Sequence, residues 1–413
     1  MKSDLLYYGS VGLLGLIYSS VLWLVGAFLA PQQLSELAIF FAVFFFATQL
    51  GAFGQPQYIQ HIRTVGSDSP KGVSVRIAAS VFTVIVASIC ASAIAQLYLV
   101  NFSGGHPSYL TLLGAVALSA AIKLITYDYV VRGQLLLVAY LNIIRSVGIL
   151  VWLFFSLRGQ VIFEPVFLFI LSESLAVLFA LVRASASISI IRPRLCGLRF
   201  ESHLIVDLLL ETIRSLKFGY KALWTSFFLE TSTKIDLLIL NIIAPGPLVG
   251  FYAIVSNVFE TLLTGLVTLR NTRISLVRAI VRKEGIFLFN PGDEQTSLWL
   301  RKRSRALVVL FMICSPLAFA SIFPVFEIMS FLLLIVLTPL LVFPLVFFQD
   351  NLLILFGKVN ELSVVQVSCV LLNVLLNFAF ISVAGIWGAA IATSLAIAAY
   401  SLGIRYYTQR ELI

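Results

Sequence analysis

The stretch FFLETSTKIDLLIL, residues 227–240, places Glu230, Lys234 and Asp236 near the middle of an apolar run long enough to cross a bilayer. Four more ionisable residues fall inside other apolar runs: Lys123, Arg145, Glu173 and Glu260. Carboxylates and cations embedded in hydrocarbon have few uses. They pair with one another to orient helices, line a hydrated pathway, or take part in ion coupling. Glu230 and Lys234 are four apart on one helical face, which permits an ion pair within the helix. Asp236 lies about 200° around the helix from Lys234 and needs a different neighbour. On an insertion scale the three charges cost roughly 9 kcal/mol, against about 6 kcal/mol returned by the Leu, Ile and Phe of residues 218–243. This helix cannot present its charged side to lipid; it requires partners or water. The next run repeats the pattern, with Tyr252, Ser256, Glu260 and Thr264 at i+4 spacing as a polar stripe. The amides of Asn142, Asn257, Asn373 and Asn377 add hydrogen-bonding groups within spans.

The chain that positions these groups has 413 residues, is 60% hydrophobic and only 11% charged, with a mean hydropathy of +1.03. A soluble domain carries about 25% charged residues, so this composition belongs in a bilayer. The net charge of +9 would suggest nucleic acid in a soluble protein, but here the basic residues fall in particular loops. The four cysteines share no motif spacing and the three histidines are scattered, which excludes a metal centre or disulfide framework as the organising chemistry. The first apolar run is too long for a cleavable signal peptide and lacks a clear cleavage site.

At about 20 apolar residues per crossing, twelve spans are expected. They are 8–29, 35–54, 77–98, 109–131, 134–156, 162–182, 218–243, 247–269, 306–325, 329–356, 362–382 and 386–404. The tenth contains Pro339 and Pro344 and is expected to kink. Among the connections of one side only Arg158 is basic, and Lys123, Arg145, Lys221 and Lys234 lie within spans, which leaves 23 of the 28 Lys and Arg on the other side. The positive-inside rule then places both termini in the cytoplasm of a multi-pass membrane protein.

The fold expected is all-α, with two six-helix bundles around a central cavity. Residues 1–183 form the N-terminal bundle, 184–217 a cytoplasmic linker, and 218–413 the C-terminal bundle. Within the linker, LIVDLLLETIRSLK (204–217) reads as an interfacial helix, with Leu204, Ile205, Leu208, Leu209 and Ile213 near one face and Asp207, Glu211 and Arg214 opposite. RNTRISLVRAIVRK (270–283) is a second, strongly basic candidate. An internal echo relates APQQLSELAIFFAVFF (30–45) to APGPLVGFYAIVSNVF (244–259) without gaps, each at the first outer turn of its half. Parallel six-helix repeats with a substrate site between them occur in several transporter folds.

Two stretches, KIDLLILNIIAPGPLVGFYAIVSN (234–257) and GIWGAAIATSLAIAAYSL (385–402), resemble the polysaccharide-exporter flippases of the Wzx type. These belong to the MATE-like multidrug/oligosaccharidyl-lipid/polysaccharide superfamily. LGAFGQPQYIQ (50–60) is similar to the end of the second helix there, and the layout of twelve spans with tiny outer loops matches along essentially the whole chain. The resemblance implies a non-enzymatic flippase in O-antigen or related lipopolysaccharide biosynthesis. It would carry undecaprenyl-pyrophosphate-linked repeat units from the inner to the outer leaflet by ion-coupled alternating access. Its partners would be the lipid-linked oligosaccharide, membrane lipids, and a polysaccharide polymerase with its chain-length regulator, and not nucleic acid. Lys123, Arg145, Lys234 and Asn257 would then meet phosphate or sugar. Glu173, Glu230, Asp236 and Glu260 would pair with those cations or bind a coupling H+ or Na+, with no other cofactor. A drug or metabolite exporter of the same superfamily is the alternative. A membrane polymerase or glycosyltransferase ranks below both, because the outer loops are short and hold few acids.

Overall fold

A computed structural model describes residues 31–65, 70–102, 107–159, 165–195, 202–284 and 358–412, together with parts of 6–21 and 302–353. All its regular elements among the described residues are helical. They are α1 (Pro31–Ala52), α2 (Gln55–Val65), α3 (Pro70–Phe102), α4 (Tyr109–Val131), α5 (Leu135–Gly159), α6 (Pro165–Leu195), α7 (Ser202–Ile243), α8 (Pro247–Glu284), α9 (Glu327–Leu337), α10 (Val359–Ala384) and α11 (Ile386–Leu412). Proline opens α1, α3, α6 and α8, where its missing N–H has no intrahelical partner to lose. After α9 the chain tightens into a 3₁₀ turn, Thr338–Leu341, at the position of Pro339. Between α10 and α11, Gly385 adopts φ +57° and donates its N–H to the Ile381 carbonyl at 2.9 Å, a left-handed joint that makes a tight helical hairpin.

Among the described residues, eight helices are long and apolar enough to cross a membrane. Large apolar side chains such as Leu97, Leu110, Leu375 and Val383 stand exposed, with Val383 at 86%. In water such a surface would drive aggregation; in a bilayer it is the surface that lipid requires. The chain is a polytopic all-α membrane protein. α7 is 42 residues long, which at about 1.5 Å per residue is about twice the hydrocarbon thickness.

The chain forms two compact units. One holds Met1–Val21 and Phe40–Phe227, the other Leu22–Ile39 and Phe228–Ile413. Much of the expected linker 184–217 is helical: α6 extends to Leu195, and α7 runs unbroken from Ser202 into the seventh span. Likewise the basic segment 270–283 continues α8. One residue on the polar face of 204–217 meets protein. Glu211 is turned onto protein: Tyr58 donates to it at 3.3 Å, and Arg76 and Arg214 pair with it at 3.5 and 2.6 Å. Asp207 and Arg214 of the same face stay exposed, as do the apolar Leu209, Leu210 and Ile213. The cation on α3 outweighs water as a partner for Glu211, and the apolar side is left for lipid.

α7 is seated in the first unit by a close approach. The chain turns after α1 through Phe53 and Gly54, both at positive φ. A side chain at Gly54 would strike the Gly219 carbonyl, and one at Gly219 would lie 2.5 Å from the Phe53 oxygen. Gln55 donates across this contact to the Ser215 carbonyl at 3.1 Å.

In the second unit the two echo segments touch each other. Ser35 donates to the Gly246 carbonyl at 2.9 Å and accepts the Gly250 N–H at 3.0 Å. A Cβ on Gly250 would come within 2.8 Å of Leu34 and 2.9 Å of the Ser35 nitrogen. Gly250→Val is therefore expected to destabilise the protein by about 1–3 kcal/mol through overpacking. Thermal unfolding in detergent checks this, since an unchanged Tm would mean that α1 does not need the glycine.

Candidate functional site

Asp236 is fully buried on α7, and four neutral donors converge on its carboxylate. Oδ1 accepts from the amides of Asn373 at 3.0 Å and Asn377 at 2.7 Å, one turn apart on α10. Oδ2 accepts from the Tyr252 hydroxyl of α8 at 3.1 Å and from the Thr393 hydroxyl of α11. Asn373 also donates to the Ser232 carbonyl at 3.2 Å, which ties α10 to α7. Among the described residues Asp236 joins no ion pair. The donors replace the water that the carboxylate gave up, but they carry no net charge. The group therefore keeps one negative charge that only a cation or a proton can cancel. The i, i+4 spacing of Asn373 and Asn377 in an otherwise apolar run is what lets both amides reach one oxygen.

A second charged group starts two residues back on α7, on the other side of that helix. Lys234, itself buried, holds Glu260 of α8 at 2.6 Å, and the Thr233 hydroxyl donates to the second oxygen of Glu260. Glu260 is a quarter exposed. The polar stripe of α8 is thus divided by function of contact: Tyr252 serves Asp236, and Glu260 serves Lys234. Asn257, between them, is half-buried, and its carbonyl accepts from Thr261 at 2.8 Å. The side chain of Glu230 lies outside the described residues.

In the first unit Arg145 of α5 meets Glu173 of α6 at 2.6 Å, with the Glu173 side chain 1% exposed. Their meeting depends on helix approach. A Cβ on Gly148, one turn from Arg145, would lie 2.7 Å from the Ser172 Cα, so only glycine lets α5 come this close to α6. The second oxygen of Glu173 and the Nε of Arg145 are buried there without a hydrogen-bond partner among the described residues, and the buried hydroxyl of Tyr18 lies beside them. Phe169, on the same helix, stacks on Phe44 with centroids 3.7 Å apart and packs against Tyr18 at 6.1 Å. Lys123 of α4 donates to the Gln49 amide oxygen of α1 at 2.6 Å.

The structure thus brings the sequence candidates together in small groups: Arg145 with Glu173, Lys234 with Glu260, Asp236 with Asn373 and Asn377, and Lys123 with Gln49. The intrahelical partner proposed for Lys234 was Glu230; its described partner is Glu260 on the next helix. Thr393 and Tyr18 carry no sequence signal as site residues, because lone hydroxyls are common in membrane helices, whereas Thr233 lies close to the Lys234 face by spacing. The paired asparagines did carry one, and sequence reasoning noted them without connecting them to Asp236.

No protein-family model and no curated protein sequence matches the chain. Solved structures do. A MATE protein in complex with MaD5 superposes with a TM-score of 0.68 at 13% identity, over 100% of this chain and 95% of that one. The inward-facing conformation of a multidrug resistance MATE family transporter of the MOP superfamily gives 0.64 at 11% identity, over 99% and 94%. A mutant of a Vibrio cholerae MATE transporter gives 0.60 at 15% identity, over 100% and 98%. At such identities it is the architecture that is shared: this chain has the fold of the MATE transporters along its whole length.

Proposed function

We propose that the protein is a flippase that moves undecaprenyl-pyrophosphate-linked oligosaccharide repeat units from the inner to the outer leaflet of a bacterial inner membrane. It does so by alternating access coupled to a proton or sodium ion, with both termini in the cytoplasm. The observation that carries this reading is the set of buried cations, Arg145 and Lys234, each held by a carboxylate within a transporter fold. A pyrophosphate cannot enter hydrocarbon unaided, and a cation that can exchange a carboxylate for a phosphate replaces its water. Lys123 and Asn257 would add polar contacts to the lipid-linked substrate. Asp236, whose charge no neighbour cancels, is the group assigned to the coupling ion, and Glu173, Glu230 and Glu260 hold the cations between cycles. A polymerase and its chain-length regulator would take the product on the outer side.

Deleting the gene is expected to remove a surface polysaccharide while lipid-linked repeat units accumulate on the cytoplasmic side. A second reading, export of drugs or small metabolites, is favoured by the neighbours described as multidrug resistance transporters. A deletion strain with normal surface polysaccharide and altered drug sensitivity would support that reading instead. Reporter fusions after Asp68, Phe200 and Glu284 are expected to read cytoplasmic, and fusions after Gly105 and Gly246 periplasmic.

A further inference from the structure

Most hydroxyls inside these helices bond back to their own helix, as Ser80 does to the Arg76 carbonyl at 3.0 Å, Thr83 to Ala79 at 2.9 Å and Ser146 to Asn142 at 2.8 Å. Five buried Ser and Thr hydroxyls of the first unit do not: Ser156 of α5, and four on α1, α3 and α4. Thr48 of α1, Ser88 and Ser92 of α3 and Ser119 of α4 are 95% or more buried, and their oxygens have no hydrogen-bond partner among the described residues. They belong to one seam. A Cβ on Gly51 would lie 2.9 Å from the Ser88 oxygen and 3.2 Å from Val116, so α1, α3 and α4 meet at this notch with the Ser88 hydroxyl aimed into it. Thr48 is one turn from Gly51, Ser92 one turn from Ser88, and Ser119 one turn from Val116, so helical periodicity carries all four to the same seam. One turn beyond Ser119, Lys123 reaches Gln49, the neighbour of Thr48.

A buried hydroxyl without a partner is unfavourable by about 1–3 kcal/mol, and four of them on one seam of a packed bundle have a common remedy. We propose that the α1–α3–α4 seam holds a file of internal water that runs past Gly51 and hydrates the Lys123 ammonium from within the first unit. Each hydroxyl then gains a donor and an acceptor, and the ammonium keeps its charge without exposure to lipid. The inference does not depend on the identity of the transported substrate.

The test uses the full chain with Cys90, Cys196, Cys314 and Cys369 replaced, in membranes, and Ag+ as a water-sized thiol reagent. Single cysteines are placed at Ser88 and Ser119 and, as a dry control, at Ala176, which is buried in an apolar cluster with Ile122, Leu141 and Ala180. Ser88→Cys and Ser119→Cys are expected to react at least about tenfold faster than Ala176→Cys. Equal, slow rates at all three would overturn the proposal. If a cysteine variant fails to insert, radiolytic hydroxyl-radical footprinting of the unaltered protein gives the same reading. Oxidation of Val116 and Lys123 well above that of Leu141 is expected, and oxidation no greater than that of Leu141 would overturn it.

Discussion

Asp236→Asn is expected to leave the protein in the membrane at near-normal abundance and to lower export at least about tenfold, because the amide keeps the volume but removes the charge. Asp236→Ala should do more damage. It removes the acceptor shared by Asn373, Asn377, Tyr252 and Thr393. The two amides keep other acceptors in the Ser232 and Asn373 oxygens, but the Tyr252 and Thr393 hydroxyls lose theirs, and each unpaired donor is unfavourable by about 1–3 kcal/mol. Abundance of the alanine variant should therefore fall together with export. Comparing the two separates architecture from coupling. If Asp236→Asn exports like the unaltered protein, the carboxylate serves only to tie α7, α8, α10 and α11 together.

Arg145→Ala is the second large effect. It strands the Glu173 carboxylate, whose side chain is 1% exposed, and breaking a pair of this kind destabilises by about 3–5 kcal/mol. Loss of inserted protein and a lower Tm are expected. Replacing both partners with apolar residues of similar volume, Arg145→Met with Glu173→Leu, should restore stability, because no charge is then left unpaired. Export should stay absent in the double variant if Arg145 meets the anionic substrate. Recovery of export with stability would reduce the pair to a structural link between α5 and α6. Lys234 offers a parallel case with a different geometry, since its partner Glu260 is a quarter exposed and has a second donor in Thr233. Lys234→Ala should accordingly reduce abundance less than Arg145→Ala while also abolishing export, and Lys234→Arg should keep part of it.

The membrane class and the helical architecture were legible because hydrophobic runs and Lys/Arg placement are summed over many residues, so no single error matters. Local pattern also located the buried charges. It did not pair them, because pairing depends on which helices touch. The contact of Lys234 with Glu260, on the following helix, had no signal in local spacing, and the Glu230 side chain lies outside the described residues. Asp236 was correctly left in need of another neighbour, but its donors come from α8, α10 and α11, up to 157 residues distant. The helix approach that positions Arg145 and Glu173 rests on Gly148, and a glycine in a membrane helix does not announce which backbone it meets. The partner of Glu211 was hidden for a related reason: its carboxylate suits either water or a cation-bearing neighbour, and the position of Arg76 decides for the neighbour.

The central claim is that ion binding at Asp236 drives movement of a pyrophosphate-linked oligosaccharide lipid. The most direct measurement reconstitutes the purified protein in vesicles carrying such a lipid and follows its leaflet exchange with an impermeant sugar-modifying reagent. Sodium and proton gradients are imposed separately, on the unaltered protein and on Asp236→Asn. The account predicts gradient-driven exchange by the unaltered protein, with one of the two ions, and its loss in Asp236→Asn. Exchange that ignores both gradients, or that proceeds equally in Asp236→Asn, would contradict it.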